Sequence, residues 1–151
     1  MPDLATHLLA QTTINQLPWI RKIAPFTLLG ATAPDLVKGF SRWATPAEKW
    51  WVYPFHSPLF MAILFYAVSL LFHEKDRPYV FAGGIIGVSI HVGLDLLQIH
   101  LIGEYFIFFP FSFQTVSFGL FPPEATLIWL PVTIAVTAAA IIIRKLIVKR
   151  A

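Results

Sequence analysis

Residues 78–102 read PYVFAGGIIGVSIHVGLDLLQIHLI, and this stretch decides the fold class. It exceeds the roughly 20 apolar residues that a helix needs to cross a hydrocarbon core. Pro78 suits a first helical turn and Gly103 a C-terminal stop. Its only ionisable residues are His91, Asp95 and His100, all in its second half. His91 and Asp95 are four apart, so a helix sets them on one face, one turn from each other. Stepping back by fours gives Gly87 and Gly83, where a neighbouring helix can approach closely. An ionisable group inside a span costs roughly 2.5 kcal/mol or more, so a functional role is the default expectation for it. A His and an Asp at this spacing can chelate one metal ion. The plainer alternative is a pair that only locks helices together.

Two further apolar runs flank this one. Residues 125–143, ATLIWLPVTIAVTAAAIII, carry no charge. Pro131 lies early in that run, and Trp129 suits an interface. Arg144, Lys145, Lys149 and Arg150 follow it in a positive-inside arrangement. Residues 58–72 form a shorter run, preceded by Trp50, Trp51, Tyr53 and Phe55 as an interfacial belt. The charged loop His73, Glu74, Lys75, Asp76, Arg77 ends it. The first 50 residues are less hydrophobic. A short helix is read over residues 3–16, ended by Pro18. Residues 23–37 are apolar but short, and Gly30 and Pro34 interrupt them, so a re-entrant or interfacial segment is expected there. Residues 105–123, rich in Phe and Pro, read as an interfacial loop.

Composition agrees. The chain has 151 residues, 57% of them hydrophobic and 13% charged, with a mean hydropathy of +0.71. Average soluble domains are about 45–50% apolar and about 25% charged. The expectation is one all-α domain, an integral membrane helical bundle. Residues 1–57 supply an N-terminal interfacial or re-entrant part, 58–143 about three transmembrane helices, and 144–151 a basic cytoplasmic tail. No secretory signal is read in the first ten residues. The net charge of +3 does not form a nucleic-acid-binding face, since the C-terminal cations follow an apolar run directly. Three crossings set the Glu74–Arg77 loop on the cytoplasmic side with the tail, in the inner membrane of a cell. Arg21, Lys22, Lys38, Arg42 and Lys49 pull against that count, unless residues 14–36 also cross. There is no cysteine, so a metal site must use His, carboxylate or backbone oxygen, which suits Zn²⁺ or Mn²⁺.

Three more residues join the candidate site. His56 stands between Pro54 and Pro58 at the start of a helix. Antiparallel packing of two helices joined by a short loop brings that start level with His91 and Asp95. Asp35 follows Pro34 among apolar neighbours; an N-cap is the plain alternative. His7 lies four after Asp3, which can orient its imidazole. His73 reads as solvated, His100 as pointing away from the His91–Asp95 face, and Glu104 and Glu124 as interfacial.

Taken in order, Thr6-His7-Leu8-Leu9, Ala33-Pro34-Asp35-Leu36, Phe55-His56-Ser57-Pro58-Leu59 and His91-Val92-Gly93-Leu94-Asp95-Leu96 resemble the membrane-bound metal-dependent hydrolase family often called YdjM-like. Its pattern is similar to THLL, PDxD, HxxxHS and a late HxxxD. Phe108-Phe109-Pro110-Phe111-Ser112 resembles that family's Trp-Pro-Phe segment. The chain departs from the pattern at Val37, where a second acidic residue is expected, and at Val52-Tyr53, where an upstream His-Arg would stand. A more distant likeness is to zinc-dependent phospholipase C, although His100 is offset by one from the later His there.

The resemblance implies a divalent ion, zinc first, held by His7, Asp35, His56, His91 and Asp95 as one or two ions. It implies an ion-activated water attacking a phosphoester or a lipid-linked substrate, with Asp35 or Asp95 as general base. The lipid bilayer is the expected partner, and no protein partner can be read. The alternative is a non-enzymatic membrane protein, either a metal- or proton-handling transport component or a structural helix-packing protein. A relay through the membrane is disfavoured, because residues 78–90 and 59–72 carry no ionisable group.

Overall fold

In the computed structural model, residues 4–44, 56–99, 106–122 and 124–150 are described, with side chains at 38–44 and 150 left aside. The described residues form five α-helices: α1 (Leu4–Ile14), α2 (Ala24–Ala44), α3 (Pro58–Ser69), α4 (Arg77–Leu97) and α5 (Ala125–Arg150). A single 3-10 turn, Arg21–Ile23, leads into α2. Among the described residues there is no strand, only an isolated bridge between Gln98 and Phe121. The chain is all-α.

Local chemistry sets the helix starts. Pro58 opens α3, where the missing N–H of proline costs nothing, and Ser57 before it is extended (φ −79°, ψ 129°). Pro78 occupies the first turn of α4 in the same way. Pro34 lies inside α2, which nevertheless runs unbroken for 21 residues. The interruption expected at Gly30 and Pro34 is therefore corrected to a continuous helix. Proline removes the donor for the Gly30 carbonyl, but α4 packs against this stretch, and such packing lets buried helices tolerate proline.

The α2–α4 contact is glycine-made. A Cβ on Gly30 would overlap the Gly84 carbonyl, and one on Gly87 would overlap the Thr27 carbonyl and lie 2.7 Å from the Ala31 nitrogen. A Cβ on Gly83 would come within 2.7 Å of the Phe26 Cβ. The small-residue stripe of α4 thus faces α2. The matched pairs run in the same order along both chains, Ile23 and Phe26 with Gly83, Thr27 with Gly87, Ala31 with His91, so the two helices are parallel. On its other side α4 meets α3, whose Phe65 ring fills the space above Gly84. Met61, Phe65, Val88, Val92 and Ala33 make the apolar core between these three helices.

The helices alternate in direction. α1 runs from His7 toward Asn15, which accepts at Oδ1 from Thr27 (2.8 Å) near the start of α2. α2 returns, α3 descends, α4 returns, and α5 packs on α1 through a Thr13–Thr137 hydroxyl pair at 2.8 Å. One end of the bundle therefore gathers the start of α1, the later turns of α2, the start of α3 and the end of α4. The opposite end gathers Arg21, Lys22 and the charged 73–77 loop.

α4 ends at Leu97, earlier than the stop expected at Gly103. Gln98 turns extended (φ −91°, ψ 147°), and the following segment takes over the helix's open carbonyls. Phe118 N–H donates to Leu96 O and Leu120 N–H to Leu97 O, each at 2.7 Å. Four carbonyls at a helix end need such partners. The 106–122 stretch is non-helical as expected, with Phe108, Phe111, Phe113 and Phe118 exposed. Ser57 Oγ ties it to α3 by donating to Phe109 O at 2.7 Å.

Two helices are long and apolar enough to cross a membrane, Arg77–Leu97 and Ala125–Lys149. α3 is apolar but shorter, at 12 residues. α5 is a single helix through Pro131 and buries only 11% of its span against the rest of the protein.

Candidate metal centre

Four helices bring the five polar side chains to one point. α1 contributes His7 from its first turns, α2 contributes Asp35 just after Pro34, and His56 precedes α3. His91 and Asp95 come from the last two turns of α4. His7, His91 and Asp95 are fully buried and His56 is 2% exposed. Asp35, with 14% of its side chain exposed, is the wet edge of the cluster.

The two carboxylates sit among the three imidazoles. Asp95 Oδ1 lies 3.3 Å from His7 Nε2, and Asp95 Oδ2 lies 3.4 Å from His91 Nε2 and 3.9 Å from His56 Nε2. Asp35 Oδ2 lies 3.9 Å from His7 Nε2, and Asp35 Oδ1 lies 4.0 Å from His56 Nε2. Two triads, His7–Asp35–His91 and His56–His91–Asp95, each bring their ligand atoms within 4.8 Å of one another.

These separations can be set against those of a hydrogen-bonded lock and of a metal cage. An N–H···O bond spans about 2.7–3.2 Å. Two ligands of one tetrahedral ion with bonds of about 2.0–2.1 Å stand roughly 3.4 Å apart. The two shortest N···O distances, 3.3 and 3.4 Å, fall on the second value, and the other three, at 3.9–4.0 Å, exceed both. Neither oxygen of Asp95 has a hydrogen-bond partner, nor do the Nε2 atoms of His7 and His91. A buried carboxylate and imidazoles left in that state are costly unless something is bound between them.

The protein also prepares the donors. His91 Nδ1 lies 2.8 Å from Ala31 O. A carbonyl only accepts, so Nδ1 carries a proton, and Nε2 is the ring nitrogen turned toward the carboxylates. The His7 ring stacks on His91 with centroids 3.9 Å apart and planes 20° off parallel, and both Nε2 atoms face Asp95. The glycine contacts of α4 with α2 are what bring Ala31 within reach of His91. The donor set of three nitrogens and two carboxylates suits Zn²⁺ or another borderline cation.

All five residues singled out from the sequence meet here, including His56, whose depth follows from the tight α3–α4 connection. His73 is exposed, as expected, and Glu124 is exposed and takes no part in the cluster. His100, Glu104, Asp3 and the 50–55 stretch, with its interfacial belt and Val52-Tyr53, lie outside the described residues.

Two buried glutamines stand close in sequence to the ligands, and of these Gln98 escaped the sequence reading. Gln98 is fully buried with neither amide atom hydrogen-bonded, and it caps α4 three residues after Asp95. Gln11 is fully buried one turn after His7 and donates to Asn15 Oδ1 at 2.8 Å. Their signal was available: an uncharged amide three or four residues from each ligand, inside an otherwise apolar run. Compared with family models, with curated proteins and with solved structures, the chain has no match.

Proposed function

We propose that this protein is a membrane-embedded, metal-dependent hydrolase of the YdjM-like kind that its motifs resemble. It acts on a phosphoester or a lipid-linked substrate. The observation that carries the reading is the convergence of three imidazoles and two carboxylates from four parts of the chain, whose ligand atoms form two triads each within 4.8 Å. A divalent ion held there, zinc by preference, supplies Lewis acidity and an acidified water.

The chain's own residues do the rest. Asp95, buried and central, holds charge at the centre. Asp35, at the wet edge, takes the proton of the attacking water. His91 is held in one tautomer by Ala31, and the buried Gln98 amide offers N–H donors and an acceptor to a substrate oxygen. The setting is a multi-pass bundle in the cell membrane. The end bearing Arg21, Lys22, Lys75, Arg77 and the α5 cations faces the cytoplasm, and the metal centre lies toward the other face. Arg21 and Lys22 then agree with the tail, because α2 runs away from that end alongside α4.

The test is metal content and hydrolysis on the purified protein in detergent. Wild type is expected to hold stoichiometric zinc that His91→Ala with Asp95→Ala loses. Cleavage of a chromogenic phosphodiester should vanish with a chelator and return with zinc. Zinc retained by the double variant would end the site assignment. Zinc-loaded protein inert toward phosphodiesters and phospholipids would end the hydrolase reading. Because the chain lacks cysteine, Glu74→Cys gives a single label position for sidedness.

A further inference from the structure

A surface cavity of about 190 Å³, open to the outside, lies at the end of the bundle opposite the metal centre, lined by Arg21, Arg144, Lys145, Val148 and Lys149. Four cations from two separate elements share it: the turn before α2 and the last turns of α5. The positive-inside arrangement sets cations at this end of the bundle, but it does not require Arg21 and the α5 cations to share one space. Among the described residues no carboxylate pairs with any of the four. Glu74 and Asp76, in the loop at the same end, form no ion pair with them. Like charges brought together without a counter-charge repel, so the arrangement calls for an anion.

The surroundings say which kind. Val148 forms part of the cavity wall, and Ile142, Ile143, Leu146 and Ile147 beside it are exposed by 54–63%. An apolar ridge thus adjoins the cationic cavity on the same helix. Inorganic phosphate uses only the cavity; an anionic phospholipid uses both. Arg in particular suits phosphate, because its planar fork pairs two oxygens at once.

We propose that Arg21, Arg144, Lys145 and Lys149 form a binding site for the headgroup phosphate of an anionic phospholipid, whose acyl chains lie along the outer face of α5. The lipid ties the turn before α2 to the end of α5, which otherwise touches the bundle chiefly through α1. This rests on the membrane reading and is independent of the metal.

The experiment reconstitutes the full chain and compares retention of phosphatidylglycerol and phosphatidylcholine by native mass spectrometry, with helical content by circular dichroism as the check on folding. Each cation near an anionic lipid is worth about fivefold in binding. Arg21→Gln with Arg144→Gln should therefore weaken phosphatidylglycerol about 25-fold and leave phosphatidylcholine unchanged. Lys75→Gln with Arg77→Gln, at the same end but outside the cavity, should keep the preference. An undiminished preference in the cavity variant, or an equal loss in the loop variant, overturns the site. Inorganic phosphate binding as tightly as phosphatidylglycerol overturns the lipid assignment. If the double variant loses helical content, the exposed Lys149→Gln decides alone, with about a fivefold loss expected and none refuting. A wild-type chain that alkaline carbonate strips from membranes fails the membrane reading, whereas one that resists and shows no lipid preference fails only this proposal.

Discussion

Gly87→Ala should disable the metal centre without touching a ligand. The added Cβ would overlap the Thr27 carbonyl and approach the Ala31 nitrogen to 2.7 Å, both backbone atoms of α2 that cannot rotate away. Relief needs the two helices to part by about an ångström, and overpacking of that kind costs about 1–3 kcal/mol. The helix-propensity gain of alanine over glycine returns about 1 kcal/mol at most. Parting α2 from α4 stretches the 2.8 Å His91–Ala31 bond and separates Asp35 from His91 and Asp95. Metal ligands tolerate displacements of about 0.2 Å, so an ångström should cost at least tenfold in zinc affinity, about 1.4 kcal/mol. Competition with a chromophoric chelator in detergent reads this directly. Gly93→Ala is the matched control, since nothing lies within 4 Å of its Cβ position. It should bind zinc as wild type does. Wild-type affinity in Gly87→Ala, or an equal loss in Gly93→Ala, would refute the claim that glycine packing sets the ligand geometry.

Ser57→Ala removes the 2.7 Å bond to the Phe109 carbonyl from a fully buried site, and should destabilise the fold by about 1–2 kcal/mol in denaturant titration; no measurable loss would show that the 106–122 segment is not tied down there. Acid should release the ion, because protons compete for the imidazole lone pairs: affinity falls between about pH 8 and about pH 5.5, with proton uptake in calorimetry, and a pH-independent affinity would mean that imidazoles are not the ligands. Zinc titration should saturate at one tight ion per chain with a weaker second that phosphate strengthens; two equally tight ions without an added anion would contradict the charge count developed below.

The sequence showed the α4 stripe plainly, because helical spacing ties Gly83, Gly87, His91 and Asp95 to one face whatever lies opposite. It also showed His56 at the right depth, since a short loop leaves an antiparallel pair little freedom. The partner of the stripe was hidden. Gly30 and Pro34 read locally as helix breakers, and only the approach of α4 turns that region into a continuous helix. The early end of α4 was hidden for a related reason. Residues 98–102 are as apolar as those before them, and what stops the helix is a segment some twenty residues later that takes its carbonyls. Gln98 carries no charge, and its place three residues after Asp95 in an apolar run is the one local sign of it.

Charge counting separates the ways the centre can be filled. Asp35 and Asp95 contribute two negative charges, and a His91 that ligates an ion through Nε2 is neutral, its one proton lying at Nδ1 against the Ala31 carbonyl. With neutral imidazoles, one divalent ion makes the cluster neutral, which a site buried in low dielectric requires. His91 belongs to both triads yet offers a single free nitrogen, so it completes the shell of one ion only. A second ion must rely on His7 or His56 with carboxylate oxygens shared from the first, and it leaves the buried centre doubly positive. That excess is tolerable when an anion arrives with it. The half-buried Asp35 marks the side from which such an anion would come, and a phosphoester brings the compensating charge. Substrate and second ion would then stabilise each other, and the same electrostatics that keeps the resting site at one ion would select an anionic substrate over a neutral one.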